Sequence, residues 1–446
     1  MNSPDLSHPM DELVYQAVFG DDAQRQSARF SIWQQAIAAG IIPASIHDFY
    51  IAKGDGRVPK NLTVPAMNIR GMAYDTARAA FEVAKKHHVG ALIFEIARSE
   101  IGYTDQRPEE YVIVMMAAAL REGWSGPLFV QGDHFQSKAV TPGVPKEGEI
   151  ETIKNLIAES IKAGFYNIDI DMSTLVDLDK PTEDEQQRAN IDCSLEIANF
   201  VRDLEPAGVT VSLGGEIGHI GGKNSTLEDL RAYMSGFNAG LKEDMVGMSK
   251  ISIQTGTHHG GVVLADGSLA DISVDFSVLK DVSQVSRDEY QMGGAVQHGA
   301  STLPDEYFNQ FTKSEAVEVH LATGFQNIQF EHEAFPKDLR DKIYAWLDET
   351  MSDEHKPDQT DEQFHYKFRK KAWGEFKQAV WDIPAENKAQ IRQSLSERFS
   401  FFYEQLNVVN TVELVNELVK PVVPVKTAAD FGATQSNDDD VRGLAD

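Results

Sequence analysis

Short apolar runs alternate with amphipathic segments of helical period along the middle of the chain, and this alternation limits the fold more than any other feature. Eight of the apolar runs are typical of strands. The first covers residues 63–69 and the last covers residues 316–324. Because a helix follows each strand, neighbouring strands must be parallel and joined by right-handed crossovers. Eight such units in roughly 250–280 residues predict an α/β fold of the closed (β/α)8 type, the TIM barrel.

A doubly wound open sheet is the alternative arrangement for the same alternation. It is disfavoured because no glycine-rich phosphate-binding sequence follows the first strand. The barrel interpretation divides the chain into a helical lead-in (1–60), a catalytic barrel (61–335) and a charged helical extension (336–425). The extension is too apolar at helical spacing to be solvated on all sides, so we expect it to pack on the barrel or on a neighbouring subunit. The acidic, polar residues 426–446 predict a disordered tail.

Charge and cysteine content narrow the class of protein. The formal net charge is -28, which argues against binding to a nucleic-acid backbone or to an anionic membrane surface. It leaves room for an anionic small molecule, because a local cluster of donors can outweigh the global field. The single cysteine, Cys193, suits a reducing compartment. Without a leader-like start or a segment of transmembrane length, the chain is expected to be cytoplasmic.

The predicted strands end on groups that are costly to bury unless they are paired or coordinated. In a barrel of this type, catalytic side chains project from the carboxyl ends of the strands. Five successive strands, the third to the seventh, end in such groups: Asp133 and His134, Asp169 and Asp171, Glu216, His258 and His259, and His298.

Three imidazoles with an open fourth position are typical of a catalytic zinc site. The neighbouring carboxylates could either orient the imidazoles or transfer protons. Spacing alone does not distinguish a hydrolase, in which zinc activates water, from a lyase, in which zinc polarises a carbonyl group.

Six segments, spread over about residues 63–330, resemble in order the motifs of the class II, zinc-dependent ketose-bisphosphate aldolases. They are PAMNIRGMAY, FVQGDHF, FYNIDIDMS, VSLGGEIGHIGG, QTGTHHG and VQHGASTLPDE. The resemblance favours a lyase over a hydrolase. It implies reversible retro-aldol cleavage of a phosphorylated or similarly anionic ketose, with fructose or tagatose 1,6-bisphosphate as the leading candidates. It also implies a homo-oligomer, a dimer or larger.

By position, the resemblance implies one zinc ion per chain, held by His134, His259 and His298. Glu216 would be an additional ligand, and Asp171 would lie close behind the ligands. The zinc ion would hold the substrate's carbonyl and hydroxyl oxygens and stabilise the enediolate that remains after cleavage.

Two acids have implied catalytic roles. Asp133 would be the acid/base on the hydroxyl of the carbon next to the scissile bond. Glu228 is the nearest acid in the segment that corresponds to the family's acidic mobile loop, which here begins with Lys223.

The same carry-over implies a set of substrate and phosphate contacts and a monovalent cation, Na⁺ or K⁺. The contacts would be Asn68, Gly260, Gly299, Ser301, His320 and Thr323, and Arg398 of the C-terminal extension is a further candidate. The departures from the family cluster on this side of the site. The lysine that usually follows the sixth strand is missing, and His320 and Ala322 replace an asparagine and an aspartate that help to hold the ketose.

The C-terminal extension carries a second resemblance, to the large accessory subunit of tagatose-bisphosphate aldolase, which is regarded as a stabilising partner. Ser394, Ser396 and Arg398 match a serine–arginine segment of that relative. Either these residues form a solvated helix face with Arg398 in a surface ion pair, or they fold over the barrel mouth and supply Arg398 to an anionic substrate. A non-catalytic partner subunit is therefore the alternative function. The three histidines favour the enzyme, because a scaffold has no physical reason to keep converging imidazoles beside an acid.

Overall fold

The computed structural model describes residues 8–218, 223–256, 274–432 and 444. The strands in these ranges are β1 (Ile41–Ala44), β2 (Val64–Asn68), β3 (Ile93–Ala97), β4 (Gly126–Gln136), β5 (Ala139–Thr141), β6 (Val144–Pro145), β7 (Asn167–Asp171), β8 (Ser212–Glu216), β9 (Lys250–Ile253), β10 (Ala295–Gln297) and β11 (Glu318–Leu321).

The α-helices in the same ranges are α1 (Pro9–Phe19), α2 (Asp22–Ala38), α3 (His47–Gly54), α4 (Ala73–Lys86), α5 (Arg98–Tyr103), α6 (Pro108–Glu122), α7 (Glu149–Ala163), α8 (Glu183–Leu204), α9 (Leu227–Gly240), α10 (Phe276–Tyr290), α11 (Phe308–Lys313), α12 (Thr323–Glu331), α13 (Lys337–Thr350), α14 (Asp361–Phe368), α15 (Ala372–Glu375), α16 (Lys377–Trp381), α17 (Ala385–Gln405) and α18 (Val412–Leu418).

Eight parallel strands of the described chain close into a ring, in the order β2, β3, β4, β7, β8, β9, β10 and β11, after which β11 pairs again with β2. The predicted (β/α)8 barrel is therefore confirmed, and the open sheet is excluded. The strands are nearly continuous in buried side chains because helices cover the outer face and the barrel interior is filled. Closure brings the carboxyl ends of all eight strands to one face.

A ninth strand, β1, interrupts the lead-in that was expected to be helical. It pairs in parallel with the first half of β4, from Gly126 to Phe129, whereas β7 pairs with the second half. The Asn167 amide joins the two neighbours of β4, because its Nδ2 donates to the Ala44 carbonyl (3.2 Å) and its Oδ1 accepts from the Ile46 amide (2.8 Å). The lead-in thus closes the amino-terminal end of the barrel between β4 and β7.

The C-terminal extension packs on the barrel of its own chain. Helix α17 lies against α4 and α12, and the Tyr403 hydroxyl at its end donates to the Ala80 carbonyl at 3.2 Å. Trp373 covers Gly71 so closely that a Cβ atom at residue 71 would lie 2.4 Å from the indole ring. This contact places the extension directly over the loop that follows β2.

Part of the segment that was predicted to be a disordered tail packs on the protein. Residues 426–432 lie against α2, where the Phe431 ring is 2 % exposed and its centroid lies 5.8 Å from that of Trp33. The Lys426 ammonium sits 4.2 Å above the same indole. One buried aromatic ring and one cation–π contact therefore hold a segment whose composition is otherwise that of a disordered tail. Residues 433–443 lie outside the described part of the chain.

Among the described residues, no helix combines the length and the apolar character needed to cross a membrane.

Candidate active site and metal centre

The barrel face at the strand carboxyl ends gathers most of the polar side chains that the sequence singled out. They come from four strands and from the residue directly after a fifth, and all are buried: Asp133, His134, Asp169, Asp171, Glu216, His298 and His320. His258, His259 and Gly260 lie outside the described residues, so the predicted ligand His259 stays a prediction.

A β-bulge explains how one strand presents an acid and an imidazole to the same site. The pairing of β4 with β7 changes register between Gly132 and Phe135, and His134 takes a left-handed backbone conformation with φ 39°. Side chains at successive strand positions normally point to opposite faces, and a bulge re-aims them. Gly132 is required here because a Cβ atom would lie 2.5 Å from the Phe135 ring. The sequence Gly132-Asp133-His134 is thus the local cause of the site.

His134, Glu216 and His298 form a group that could hold a metal ion. Their candidate ligand atoms all lie within 4.8 Å of one another. The two imidazole centroids are 4.1 Å apart, and His298 Nε2 lies 3.5 Å from Glu216 Oε2. His134 Nδ1 lies 2.8 Å from Asp171 Oδ2, and Asp171 is itself fixed by Gln136 Nε2 at 2.7 Å. A carboxylate behind the second nitrogen of an imidazole is the usual support of a metal-binding histidine.

The electrostatics of this group suit a divalent cation. Burial alone would lower the pKa of His134, but the carboxylates of Asp133 and Asp171 outweigh it and raise the pKa to about 10. Burial, with Asp171 beside it, raises the pKa of Glu216 well above its ordinary value. Three acids around two imidazoles carry excess negative charge, and a metal ion would neutralise it. The donor set of nitrogen and carboxylate oxygen therefore fits zinc.

Asp133 lies at the centre of the imidazoles. Its Oδ1 is 3.1 Å from His320 Nδ1, 3.8 Å from His134 Nε2 and 3.9 Å from His298 Nδ1. Asn68 Nδ2 donates to its Oδ2 at 3.4 Å. A carboxylate that is held so close to metal-competent groups can take a proton from a substrate hydroxyl bound there.

A deeper layer of charge lies beneath Asp133, and the sequence analysis missed most of it. Lys250 Nζ contacts Asp169 Oδ1 at 2.8 Å and Glu318 Oε1 at 2.6 Å, and donates to Gln131 Oε1 at 2.7 Å. Glu95 joins the layer with its Oε1 at 3.2 Å from His320 Nδ1.

A period of two residues could have identified part of this layer. Glu318 and His320 share one face of β11, just as Asp169 and Asp171 share one face of β7.

Three of the predicted substrate contacts, Asn68, Ser301 and Thr323, are buried, and two of them contact the ion pair of an arginine that the sequence analysis missed. Arg70 Nε donates to Glu100 Oε1 at 2.6 Å, and its Nη1 donates to Thr323 Oγ1 at 3.4 Å. Asn68 Nδ2 donates to Glu100 Oε2 at 2.5 Å, which links Arg70 to Asp133. Ser301 Oγ accepts from the Gly324 amide at 3.0 Å, at the start of α12. The loop that bears Ser301 turns at Gly299, whose φ of 69° favours glycine.

Two predicted residues are not part of the buried group. Glu228 is exposed in the first turn of α9. Arg398 Nη1 donates to Asp305 Oδ1 at 2.5 Å, and its guanidinium lies 4.3 Å above the Phe402 ring. This arrangement is the ion pair on a helix face, one of the two interpretations that the sequence left open.

A closed parallel barrel with acids and imidazoles at the carboxyl ends of its strands is the architecture of a TIM-barrel enzyme. Residues 58–380 match the sequence profile of class-II fructose-bisphosphate aldolase. The chain belongs to this family, which supports a lyase activity. No curated protein sequence matches the chain.

Several solved structures are similar to this chain at low sequence identity. A probable tagatose 6-phosphate kinase from Sinorhizobium meliloti is 13% identical with a TM-score of 0.54, over 80% of this chain and 98% of that one. A fructose-bisphosphate aldolase from Campylobacter jejuni is 16% identical with a TM-score of 0.48, over 82% and 94%. The YdjI aldolase from Escherichia coli is 12% identical with a TM-score of 0.48, over 83% and 99%. Of these three similarities, the one with a TM-score of 0.54 bears on the fold, and none bears on the substrate.

Proposed function

We propose that the chain is a zinc-dependent aldolase that cleaves a phosphorylated or similarly anionic ketose by a reversible retro-aldol reaction. Fructose and tagatose 1,6-bisphosphate are the first candidates. The supporting observation is the position of Asp133 Oδ1, within 4 Å of both His134 and His298, the imidazoles of the metal-competent group. Family membership supports the reaction class, and the geometry supports a residue to perform its proton transfer.

Asp133 would move the proton in this reaction. Its carboxylate takes the proton from the hydroxyl on the carbon next to the scissile bond, the carbon–carbon bond breaks, and that hydroxyl becomes the aldehyde. The electron pair of the broken bond passes towards the ketone oxygen of the other fragment. Zinc, when bound by His134, His298 and the predicted ligand His259, supplies a Lewis acid that polarises the substrate carbonyl. Proton return to the fragment's carbon completes the cycle.

The anionic group of the ketose would lie beside Ser301 and Thr323. The family's lysine after the sixth strand is absent, and Arg70 offers a positive charge in contact with Thr323 Oγ1. A guanidinium can donate two parallel hydrogen bonds to a phosphate. The ion pair with Glu100 holds the guanidinium in place before substrate arrives. A monovalent cation, the cytoplasmic location and a homo-oligomer stay predictions.

Metal analysis and cleavage assays with both bisphosphates test this function. We expect one zinc per chain, and loss of both zinc and cleavage in His134→Ala. Asp133→Asn should keep its zinc and lose roughly 10²–10⁴-fold in kcat, because only proton transfer is removed. His365→Ala, in the C-terminal extension, is the control and should change neither.

Two results would count against the proposal. Full turnover in metal-free protein would refute the zinc mechanism. A chain that binds no zinc and cleaves neither bisphosphate, yet stabilises a separate aldolase, would support the alternative of a non-catalytic partner subunit.

A further inference from the structure

His320 occupies the position at which the resemblance implies a contact with the ketose, but its surroundings are those of a side chain bound to the protein. It is 4 % exposed, and its ring centroid lies 4.0 Å from that of His298. Both ring nitrogens face carboxylates. Nδ1 is 3.1 Å from Asp133 Oδ1 and 3.2 Å from Glu95 Oε1, and Nε2 is 2.5 Å from Glu318 Oε1. Of the two carboxylates beside Nδ1, only Asp133 has the geometry of a hydrogen bond.

The direction of these hydrogen bonds follows from the acceptors. An ionised carboxylate only accepts, so an imidazole between two carboxylates donates from Nδ1 to one and from Nε2 to the other. Each ring nitrogen has a single N–H, and both are directed at protein oxygens. The ring therefore has no nitrogen to offer to a substrate hydroxyl.

The far end of His320 is anchored more firmly than a single hydrogen bond would allow. Glu318, its partner at Nε2, also contacts Lys250 Nζ at 2.6 Å, and this ammonium is bound in turn to Asp169. All of these groups lie on strands of the barrel and are buried. Lys250, Glu318 and His320 thus form a rigid line that ends at Asp133.

Both carboxylate oxygens of Asp133 accept hydrogen bonds. His320 holds Oδ1, and Asn68 Nδ2 donates to Oδ2 at 3.4 Å. Two donors on opposite oxygens fix the plane of a carboxylate as well as its position. Orientation of this kind matters because proton transfer needs the acceptor oxygen within hydrogen-bond reach of the hydroxyl.

We propose that His320 is a positioning residue, which holds the Asp133 carboxylate in its proton-transfer orientation through the Glu318–Lys250 anchor, and that it makes no substrate contact. This inference rests on the proposed aldolase function. It replaces the substrate-binding role that the resemblance implies for His320.

Two amide substitutions test the hydrogen bonds of the two His320 ring nitrogens separately. His320→Asn places an N–H near the position of Nδ1 and keeps the donor to Asp133, whereas His320→Gln places one near Nε2 and keeps only the donor to Glu318. We expect kcat for fructose or tagatose 1,6-bisphosphate to fall about 10- to 100-fold in His320→Gln, with KM within about twofold, and to stay within about threefold in His320→Asn. Zinc content should be unchanged in both. His365→Asn and His365→Gln serve as the matched controls.

The kinetics can overturn the proposal in two ways. A rise in KM with unchanged kcat would show that His320 binds substrate. Equal losses in the two variants would show that the histidine only supports the fold.

A spectroscopic measurement separates this proposal from the proposed function. In the full chain with ¹⁵N-labelled histidine, His320 should give two slowly exchanging imidazole N–H signals. Asp133→Asn should shift the Nδ1 signal, and Glu318→Gln the Nε2 signal. If the wild-type chain cleaves no ketose but both signals are present, the aldolase function fails while the hydrogen-bonded orientation of Asp133 stands. Absence of a protected Nδ1 signal would overturn the proposal, whatever the activity.

Discussion

Replacement of Lys250 by methionine should destabilise the barrel severely, because this ammonium holds two acids in the interior. The Lys250 side chain is 0 % exposed, and it contacts Asp169 at 2.8 Å and Glu318 at 2.6 Å. Methionine matches the length of the side chain but leaves both carboxylates without their cation. The position was not among the sequence-predicted site residues, so the test is independent of the motifs.

The expected loss in the free energy of unfolding can be estimated from the buried ion pairs. Removal of one partner of a buried ion pair typically costs about 3–5 kcal/mol, because the other charge is left uncompensated. Two carboxylates depend on Lys250, so we expect the upper part of that range at pH 7. Burial raises the pKa of Asp169 to about 6 although Lys250 opposes the shift. Without the ammonium this pKa rises further, so Asp169 takes up a proton in the folded variant more readily than in the unfolded chain. The loss should therefore be about 1 kcal/mol smaller at pH 5.5 than at pH 7.

Urea unfolding at the two pH values, followed by tryptophan fluorescence, measures this difference. Lys242→Met is the matched control, since Lys242 contacts Asp203 at 2.9 Å with both side chains more than half exposed. A surface pair of this kind contributes at most about 1 kcal/mol. If the two variants unfold at the same urea concentration, the buried layer does not depend on Lys250 and the reasoning fails.

Three further changes test other parts of the chain. Arg398→Ala removes the ion pair with Asp305 and should cost about 1–2 kcal/mol in urea unfolding while the KM for a ketose bisphosphate is unchanged; a raised KM would restore the substrate-binding interpretation. Burial lowers the pKa of His47 to about 4 from 6.5, with Arg202 adding to the shift, so its contribution to stability is present above pH 6.5 and is lost as the pH falls towards 4. Wild-type protein should therefore lose about 3 kcal/mol more than His47→Gln between pH 7 and pH 4, and parallel pH profiles of unfolding would contradict this. Gly71→Ala should push its new methyl group into the Trp373 indole and lower the free energy of unfolding by about 1–3 kcal/mol. Limited proteolysis of the C-terminal extension should then be faster, and an unchanged cleavage rate would show that the Gly71–Trp373 contact is not needed.

Much of the fold could be predicted from the sequence because its signals are local. A strand buried on both faces and an amphipathic helix each leave a periodic pattern in the chain, and repeated alternation allows few topologies. The same holds for the Asp133-His134 pair, which stands at the end of an apolar strand. The ninth strand, β1, left no clear signal, because four residues are too short to show a period and because it pairs with the part of β4 that β7 does not reach.

The sequence by itself determined which groups stand at the strand ends, and only the tertiary structure decided what each one contacts. Lys250 and Glu318 are 68 residues apart in the chain, and they are in contact because both side chains lie inside the closed barrel. The role that we propose for His320 differs from the predicted one for the same reason, since its family position implies a substrate contact whereas its two nitrogens contact Asp133 and Glu318. Arg398 is held by Asp305, a residue no local pattern connects with it. Local periodicity follows from backbone geometry within a few residues. Partners across a barrel depend on its closure and register, which the whole chain sets together.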